Sequence, residues 1–281
     1  MTTSPTGRKV RHRLIKRLFW WNTRVYFFFA FVWSLRRLAK YVWRGRNFLK
    51  TPTSSLDSYQ TYDDRELRDD AAGEFECLVD GKIRILPAGK IRDLYLQPVT
   101  AEINSLLQQG GGPITILEVG CGNAINLVRL KRAFKDRIKL TGIDISRRRI
   151  EIGRQWFGDQ VADIDLKVGS ITTSEAVEAL NRYDLVFSVH CLEQITYGLE
   201  SAVRHMASLA VHRMVLVEPT WEFAIPAQRL YLLLADHAKT LLPTVLAAGL
   251  AVRTARAMPI QGSLKNQSSL IIIDKSPVEP E

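Results

Sequence analysis

The stretch that decides the fold is residues 114–124, which read ITILEVGCGNA. A mostly apolar run ends in a turn with glycine at positions 120 and 122, and a helical pattern follows. A short buried strand that enters a helix through glycines is typical of open α/β sheets, because the bare backbone lets a ligand approach the strand end. The sequence therefore predicts a ligand site at the carboxyl end of this strand.

Strands and helices alternate on the C-terminal side of this segment. Short apolar strands separated by helices need crossover connections, which give a largely parallel sheet covered on both faces. The pattern predicts an α/β fold with a doubly wound, mostly parallel seven-stranded sheet. Its strands are expected at residues 114–119, 139–143, 164–168, 183–189, 211–218, 251–259 and 268–274, with the main helices at residues 124–134, 147–157, 174–181, 199–210 and 228–248.

Four regions follow from composition and local pattern. Residues 1–50 form a basic, aromatic helical arm, and the Pro- and Ser/Thr-containing residues 51–72 form a linker. Residues 73–112 contain a hairpin around Asp80-Gly81 and a helix ending near residue 109, expected to cover the ligand site. Residues 113–281 form the main domain.

The positive charge of the chain belongs to its N-terminal arm. Of 39 Lys and Arg residues, 13 lie in residues 1–50, which hold no Asp or Glu, whereas residues 51–281 carry 26 basic and 29 acidic residues. The arm also contains the aromatic stretch 18–35. Aromatic rings mixed with arginine favour attachment to a membrane surface, while a membrane span and a helix packed on protein remain alternatives. Nucleic acid is a less favoured partner, because the main domain is not basic.

The three cysteines, Cys77, Cys121 and Cys191, are far apart and show no metal-ligand or disulfide spacing. The sequence therefore predicts no metal site and a reducing, cytoplasmic location, on the inner face of a membrane if the arm binds one. It does not indicate the oligomeric state.

The glycine turn argues against a dinucleotide. A G-x-G-x-x-G fingerprint beginning at Gly120 needs a small residue at position 125, where Ile125 stands. Glu118, directly before the turn, would repel a diphosphate but suits a cationic amino group. A hydride-transferring enzyme is therefore disfavoured, and a ligand with ammonium and sulfonium centres fits better.

From residue 94 to residue 218 the chain resembles the class I S-adenosylmethionine-dependent methyltransferases, particularly their small-molecule branch. The segment 118–124 is similar to the first motif of that family, E-x-G-x-G-x-G, with Ala124 in place of the third glycine. The segment TGIDIS at 141–146 is similar to the second motif, whose acid binds the ribose of the cofactor. The resemblance implies S-adenosyl-L-methionine as cofactor, with the binding residues Glu118, Gly120, Gly122, Asn123, Asp144, Ile145, Ser170, Ile171 and Ser188.

The segment 183–194, YDLVFSVHCLEQ, resembles the fourth strand of the family and the loop that enters the substrate pocket. His190 and Glu193 are its ionisable groups and the candidate catalytic residues, although each also has an ordinary structural interpretation, as a pocket-lining histidine and as a helix-start acid. Beyond residue 218, Trp221, Phe223 and Tyr231 are candidates for a substrate pocket that accepts an apolar group.

The sequence thus predicts methyl transfer to a small or lipid-like acceptor at a membrane surface. Two alternatives stay open. One is an RNA or protein methyltransferase in which the basic arm holds an acidic polymer. The other is a non-catalytic cofactor-binding scaffold, which the substitution of Ser170 for the acid common after the third strand would permit.

Overall fold

The structure is a computed structural model and describes residues 73–275, apart from residues 111, 227, 230–231, 233–236 and 264–265. The predicted N-terminal arm and linker lie outside the described residues. Within the described part, no helix combines the length and the apolar character needed to cross a bilayer.

The described elements are nine strands and six α-helices, joined by short 3-10 turns. The strands are β1 (Glu74–Val79), β2 (Lys82–Pro87), β3 (Ile114–Val119), β4 (Ile138–Asp144), β5 (Asp165–Val168), β6 (Tyr183–Val189), β7 (Ala210–Pro219), β8 (Ala251–Ser263) and β9 (Asn266–Asp274). The helices are α1 (Ala88–Gln109), α2 (Ile125–Phe134), α3 (Arg147–Phe157), α4 (Ser174–Glu178), α5 (Leu199–Leu209) and α6 (Leu241–Ala247).

All nine strands belong to one sheet, in the order β2-β1-β8-β9-β7-β6-β3-β4-β5. Strands β5, β4, β3, β6 and β7 are parallel, and β9 and β8 are antiparallel additions. The seven predicted strands are confirmed as one sheet. Strands β1 and β2 were expected to form a hairpin over the ligand site, apart from the main sheet. They are part of the sheet, which therefore has nine strands.

The predicted hairpin around residues 80–81 is confirmed. Asp80 and Gly81 have φ angles of 51° and 72°, the left-handed backbone that a two-residue turn requires between twisted antiparallel strands. Leu78 and Val79 also pair with β8, opposite Gln261 and Ile260, and this pairing joins the hairpin to the sheet. The hairpin and the helix after it therefore have a fixed position beside the strand ends.

Helices cover both faces of the sheet. One face packs against α1, α2 and α3 through residues such as Val99, Leu127 and Ile150. The other packs against α5 and α6 through residues such as Met206 and Val245. Since parallel strands buried on both faces must be apolar on both sides, β3, β6 and β7 appear in the sequence as nearly continuous apolar runs.

A buried ion-pair network holds α1 against the sheet. Glu102 of α1 lies 2.6 Å from Nη1 of Arg213 on β7, and it also pairs with Arg253 on β8. Arg213 reaches Asp274 of β9 at 3.2 Å. Buried charges are tolerated when each has partners of opposite sign, as these have. The network fixes the register of α1, whose N-terminal half lines the cavity described below.

Candidate active site

A cavity of about 760 Å³ opens at the carboxyl ends of β3 and β4. Its walls come from the turns after β3, β4, β5 and β6, and from β1 and α1. Ligands of doubly wound sheets bind in this place, and the volume is within the usual range of a few hundred to about 1,000 Å³ for small-molecule sites. The location agrees with the sequence prediction.

The glycine turn needs its glycines for a packing reason. Gly120 has a φ of 75°, and a Cβ added there would lie 2.2 Å from the Sγ of Cys191. The N–H groups of Gly120 and Cys121 both donate to the carbonyl of Ile143, at 2.8 and 3.1 Å. These contacts tie the turn after β3 to β4 and to the loop after β6, so three strand ends share one wall of the cavity.

Asp144 connects the first two motifs. Its Oδ2 accepts a hydrogen bond from the N–H of Gly122 at 2.8 Å, and its Oδ1 accepts one from the N–H of Ser146 at 2.8 Å. Ser146 caps α3 in turn, because its hydroxyl accepts a hydrogen bond from the N–H of Arg149. Each carboxylate oxygen has two lone pairs. Asp144, which lines the cavity, can therefore accept ligand hydroxyl groups while it keeps both backbone contacts.

Glu118 lies one layer behind the cavity wall. It is fully buried, and its Oε1 accepts a hydrogen bond from Nδ2 of Asn126 at 2.7 Å, while Asn126 itself lines the cavity. Burial raises the pKa of Glu118 to about 8, against the opposing effects of Asn126 and the positive charge of Arg92. The second oxygen, Oε2, is buried without a hydrogen-bond partner among the described residues.

The structure brings most of the predicted cofactor residues to the cavity. Those that line it are Gly120, Asn123, Asp144, Ile145, Ser170 and Ile171. The other three, Glu118, Gly122 and Ser188, do not line it. Ser188 is fully buried near Glu218, and its Oγ has no hydrogen-bond partner among the described residues. Glu118 and Ser188 are therefore placed to support the wall, and Gly122 lies beneath the side chain of Arg149.

His190 lines the cavity within a small hydrogen-bonded group. Its Nε2 is 2.6 Å from Oγ of Ser268, and its ring meets that of Tyr95 edge-to-face, with centroids 4.7 Å apart. Burial and the charge of Arg92 lower the pKa of His190 to about 4, so the ring is neutral at physiological pH. The residue has a φ of 54°, and its N–H donates to Val217. This unusual backbone directs it away from the course of β6.

Glu193 and Glu218 form a buried pair of carboxyl groups. Burial and the neighbouring charge of Glu218 raise the pKa of Glu193 to about 8, and burial raises that of Glu218 to about 7. Glu218 accepts hydrogen bonds from the N–H groups of Cys191 and Glu193, with nearest distances of 2.9 and 3.4 Å. The carboxylate at the end of β7 therefore fixes the loop that carries both candidate catalytic residues.

The predicted substrate-pocket residues are not part of this cavity. Trp221 and Phe223 are half-buried and do not line it, and Trp221 instead packs beneath the guanidinium of Arg229, 5.4 Å from its ring centre. Tyr231 lies outside the described residues. The structure therefore does not bring Trp221 and Phe223 to the cavity that holds the predicted cofactor residues. The wall opposite the strand ends comes instead from Phe75, Ala88, Ile91, Arg92 and Tyr95.

Several residues of the site escaped the sequence analysis. Ala88, Ile91, Arg92 and Tyr95 recur at helical spacing and lie on one face of α1, a signal that was present in the sequence. Ser268, Arg149 and Glu218 had no comparable signal. Their roles depend on contacts between segments that are distant in the chain, such as Ser268 with His190.

The residues present suit S-adenosylmethionine. Asp144 offers a carboxylate to the ribose hydroxyls, and the buried Glu118, whose Oε2 has no hydrogen-bond partner among the described residues, holds Asn126 at the cavity wall. The bare backbone at Gly120 leaves the turn accessible from the cavity. Among the described residues, no cluster of His, Cys, Asp or Glu is arranged to hold a metal ion.

The family model for a methyltransferase domain matches residues 116–211. The structure of magnesium protoporphyrin IX methyltransferase from Synechocystis PCC 6803 with bound S-adenosylmethionine is similar, with 16% identity, a TM-score of 0.55, and coverage of 82% of this chain and all of that one. No curated protein matches the chain in sequence.

Two further structures show the same fold. The methyltransferase domain of citrinin polyketide synthase has 17% identity and a TM-score of 0.51, covering 66% of this chain and 56% of that one. The cyclase SpnF has 13% identity and a TM-score of 0.50, covering 68% of this chain and 82% of that one. Since one of these proteins is named a cyclase, the fold does not by itself fix the reaction. The family model, in contrast, matches residues 116–211 as a methyltransferase domain, and this segment is the methyltransferase domain of an enzyme whose cofactor is S-adenosylmethionine.

Proposed function

We propose that the enzyme methylates a small or lipid-like acceptor bound in the cavity, between the cofactor residues and the face of α1. The observation that carries this proposal is that His190 and Tyr95 line the same cavity of about 760 Å³ as Asp144, with the His190 ring held by Ser268. Walls that come from both the strand ends and α1 favour an acceptor of limited size over a polymer. One similar fold belongs to an enzyme named for a small molecule, magnesium protoporphyrin IX.

The residues of the cavity suit methyl transfer without a metal. When bound, S-adenosylmethionine supplies an activated methyl group, so the enzyme must mainly align the acceptor and exclude water. His190 is neutral at physiological pH, so a ring nitrogen can accept a hydrogen bond from an acceptor hydroxyl or amine and orient that group toward the methyl donor. In this role Nε2–H donates to Ser268, and Nδ1 accepts from the acceptor. Ser268 and Tyr95 hold the ring in place.

A mass-spectrometric search for a methylated product tests the enzymatic part. Lipid and metabolite extracts are incubated with the full chain and S-adenosylmethionine carrying a labelled methyl group. We expect one labelled class of small product with the wild-type protein, and its loss with Asp144→Asn. Label found only in protein or RNA would contradict the proposal, and so would a small product formed equally well by the variant.

We also propose that the N-terminal arm attaches the enzyme to the inner face of a membrane. Residues 1–50 hold 13 Lys and Arg, no Asp or Glu, and an aromatic stretch at 18–35. Each basic residue near an anionic bilayer contributes about 1 kcal/mol, and aromatic rings prefer the headgroup region. A lipid-like acceptor would then be close to the enzyme that uses it.

Co-sedimentation with liposomes tests the attachment. We expect the full chain to sediment with vesicles containing anionic lipid, less with neutral vesicles, and very little after deletion of residues 1–50. Equal sedimentation of the full chain and the deletion variant would contradict the role of the arm. Equal sedimentation of the full chain with anionic and with neutral vesicles would contradict the electrostatic basis of the attachment.

A further inference from the structure

The carboxyl group of Glu193 belongs to the wall of the cavity. The residue is 5% exposed and lines the cavity in the short turn after β6, three residues beyond His190. Its Oε2 is buried without a hydrogen-bond partner among the described residues. Its backbone is held on both sides, because its N–H donates to Glu218 at 3.4 Å and its carbonyl accepts from the N–H of Ala238 at 2.7 Å. A well-fixed acid with an unsatisfied oxygen therefore borders the space in which an acceptor would bind.

Glu193 and Glu218 form a carboxyl pair without a counter-cation in the described part of the chain. Burial raises the pKa of both groups, and the charge of Glu218 raises that of Glu193 further. No Lys, Arg or His that the structure describes forms an ion pair with either carboxyl. The buried acid Glu102, in contrast, pairs with Arg213 and Arg253. Since buried charges are stable only with opposite charges beside them, the pair at the cavity lacks the cation that Glu102 has.

The two carboxyl groups of the pair have different environments. Glu218 accepts hydrogen bonds from the N–H groups of Cys191 and Glu193, which stabilise its ionised form, and its pKa is about 7 against about 8 for Glu193. Near neutral pH the pair therefore holds one proton, which resides mainly on Glu193. A cation that enters the cavity would stabilise the ionised form of Glu193 and displace this proton.

The other titratable groups around this carboxyl pair stay neutral near pH 7. Burial raises the pKa of Tyr95 and of Cys191, so both keep their protons. Burial lowers the pKa of His190 to about 4, and the charges of Arg92 and His237 add to that effect. Exchange of a proton with a ligand in this pH range is therefore left to the carboxyl pair.

Glu193 and His190 present hydrogen-bond acceptors to the same cavity. The neutral ring of His190 has one nitrogen that accepts, and the carboxylate of Glu193 accepts once it is ionised. An ammonium group carries three N–H donors and a positive charge, whereas a hydroxyl group carries one donor and no charge. An ammonium ion therefore supplies both the donors and the charge that this part of the wall lacks.

We propose that the acceptor is an amine, which enters the cavity as an ammonium ion and is bound by the carboxylate of Glu193 with the neighbouring charge of Glu218. The inference rests on the proposed function and names the group that is methylated. It makes Glu193 a catalytic residue, because its carboxylate contacts the reacting nitrogen.

The protons and electrons of this reaction balance. The ammonium ion displaces the proton of Glu193 to solvent when it binds. The carboxylate of Glu193 then takes one proton from the nitrogen, whose lone pair forms the bond to the methyl carbon. The carbon–sulfur bond breaks, and its electron pair stays on sulfur. The products are a methylated ammonium ion, S-adenosylhomocysteine and the proton released on binding, and Glu193 is left protonated, as it began.

Calorimetric titration with hexylamine and 1-hexanol tests the binding of charge without any methyl transfer. The full chain is saturated with S-adenosylhomocysteine near pH 7. We expect hexylamine to bind at least about tenfold more tightly than 1-hexanol, because only the amine brings a positive charge to the buried pair. Titrations in two buffers of different ionisation enthalpy should show the release of about one proton for each amine bound, and none for the alcohol.

Three variants refine the binding test. Glu193→Gln keeps the shape of the side chain and should lose most of the preference for the amine together with the proton release. Glu193→Asp should keep part of both, since its carboxylate is present but set back from the cavity. Glu178→Gln, at an exposed glutamate of α4, is the control and should bind as the wild type does. Thermal unfolding of each variant checks that the domain is folded.

The contrary outcomes of the titrations are distinct. Equal affinities for hexylamine and 1-hexanol, or binding of neither, would overturn the proposal. A preference for the amine that is retained in full by Glu193→Gln would overturn the role of this residue.

The labelled product of the extract experiment separates this inference from the proposed function. We expect the labelled methyl group on nitrogen. A methyl group on oxygen, carbon or sulfur would overturn the amine assignment and leave methyl transfer to a small acceptor intact, whereas absence of any labelled small product would refute both. With the amine identified in this way, Glu193→Gln should lower kcat/KM about a hundredfold, as the loss of a general base does. Wild-type kcat/KM of that variant would remove Glu193 from the reaction.

Discussion

The carboxylate of Glu218 holds the backbone N–H of Cys191 between its two oxygens, at 2.9 and 3.1 Å. The end of β7 thereby fixes the start of the loop after β6, one residue beyond His190. The same carboxylate accepts the N–H of Glu193 at 3.4 Å. Strands β6 and β7 are parallel neighbours, so their carboxyl ends meet at one edge of the sheet. The conformation of the catalytic loop is thus set by a residue outside the loop.

Replacement of this acceptor should loosen the loop. We expect Glu218→Gln to speed the hydrogen exchange of the amides at 191 and 193 about fivefold above pH 7, where the Glu218 carboxyl is ionised, because hydrogen bonds to a charged acceptor are roughly 1 kcal/mol stronger than those to a neutral one. Glu178→Gln, at an exposed glutamate of α4, is the control. Unchanged protection of these amides in Glu218→Gln would show that the loop is held by other contacts.

Binding of the cofactor should depend on the charge of Asp144. We expect Asp144→Asn to reduce the affinity for S-adenosylmethionine at least thirtyfold, since charge-assisted hydrogen bonds contribute about 1.5–3 kcal/mol. Isothermal titration calorimetry measures the change, with Asp165→Asn at the exposed start of β5 as control. An affinity within threefold of the wild type would remove Asp144 from the cofactor site.

The buried carboxyl pair should make stability fall as the pH rises. The pKa of Glu193 is raised to about 8 in the folded protein by burial and by Glu218, whereas an unfolded glutamate titrates near 4.3. Between these values the folded state binds more protons than the unfolded state. The contribution of Glu193 to the free energy of unfolding is therefore complete below pH 4.3 and is lost as the pH rises through about 8. We expect Glu193→Gln to flatten this decline.

Urea unfolding at pH 6.5 and pH 8.5 measures that effect. The wild-type protein should lose about 1 kcal/mol more of its free energy of unfolding across this interval than Glu193→Gln does. The comparison between the two proteins cancels the groups that are distant from Glu193, and the difference reports the Glu193–Glu218 pair as a unit. If the free energies of unfolding of the wild type and Glu193→Gln change equally with pH, Glu193 is ionised across the whole interval. As a control, the variant Glu178→Gln at an exposed position should show the pH dependence of the wild type.

Ala124, which stands in place of the third glycine of the first motif, has a strained backbone. Ala124 is the residue before α2 and has a φ of 61°, in the left-handed region that costs a residue with a Cβ about 1–2 kcal/mol. Ala124→Gly should relieve this strain, although part of the gain is offset by the greater freedom of glycine in the unfolded chain and the loss of a buried methyl group. We expect a net stabilisation of about 0.5 kcal/mol in urea unfolding. A clear destabilisation would mean that the methyl contacts outweigh the backbone strain.

Local sequence pattern was sufficient for the strands of the predicted sheet, whereas the helix predicted at 228–248 is interrupted by the non-helical residues 237–240. The apolar runs at 114–119 and 183–189 coincide with β3 and β6, because strands buried on both faces leave an unbroken apolar signal. The hairpin at 80–81 was equally clear, since few residue pairs adopt a left-handed backbone at both positions. The attachment of that hairpin to β8 was not predicted, because it depends on Leu78 and Gln261 meeting across the whole domain.

The sequence by itself determined the fold and the glycine turn at the edge of the cavity, because both depend on residues that are neighbours in the chain: Gly120 and Gly122 in one turn, Asp144 at the end of the next strand. Only the tertiary structure decided which side chains surround the ligand. It placed Glu118 behind Asn126, set Arg149 over the glycine turn, and brought Ser268 to His190, 78 residues away. Such contacts arise when strands pair and helices pack, and no local periodicity records them.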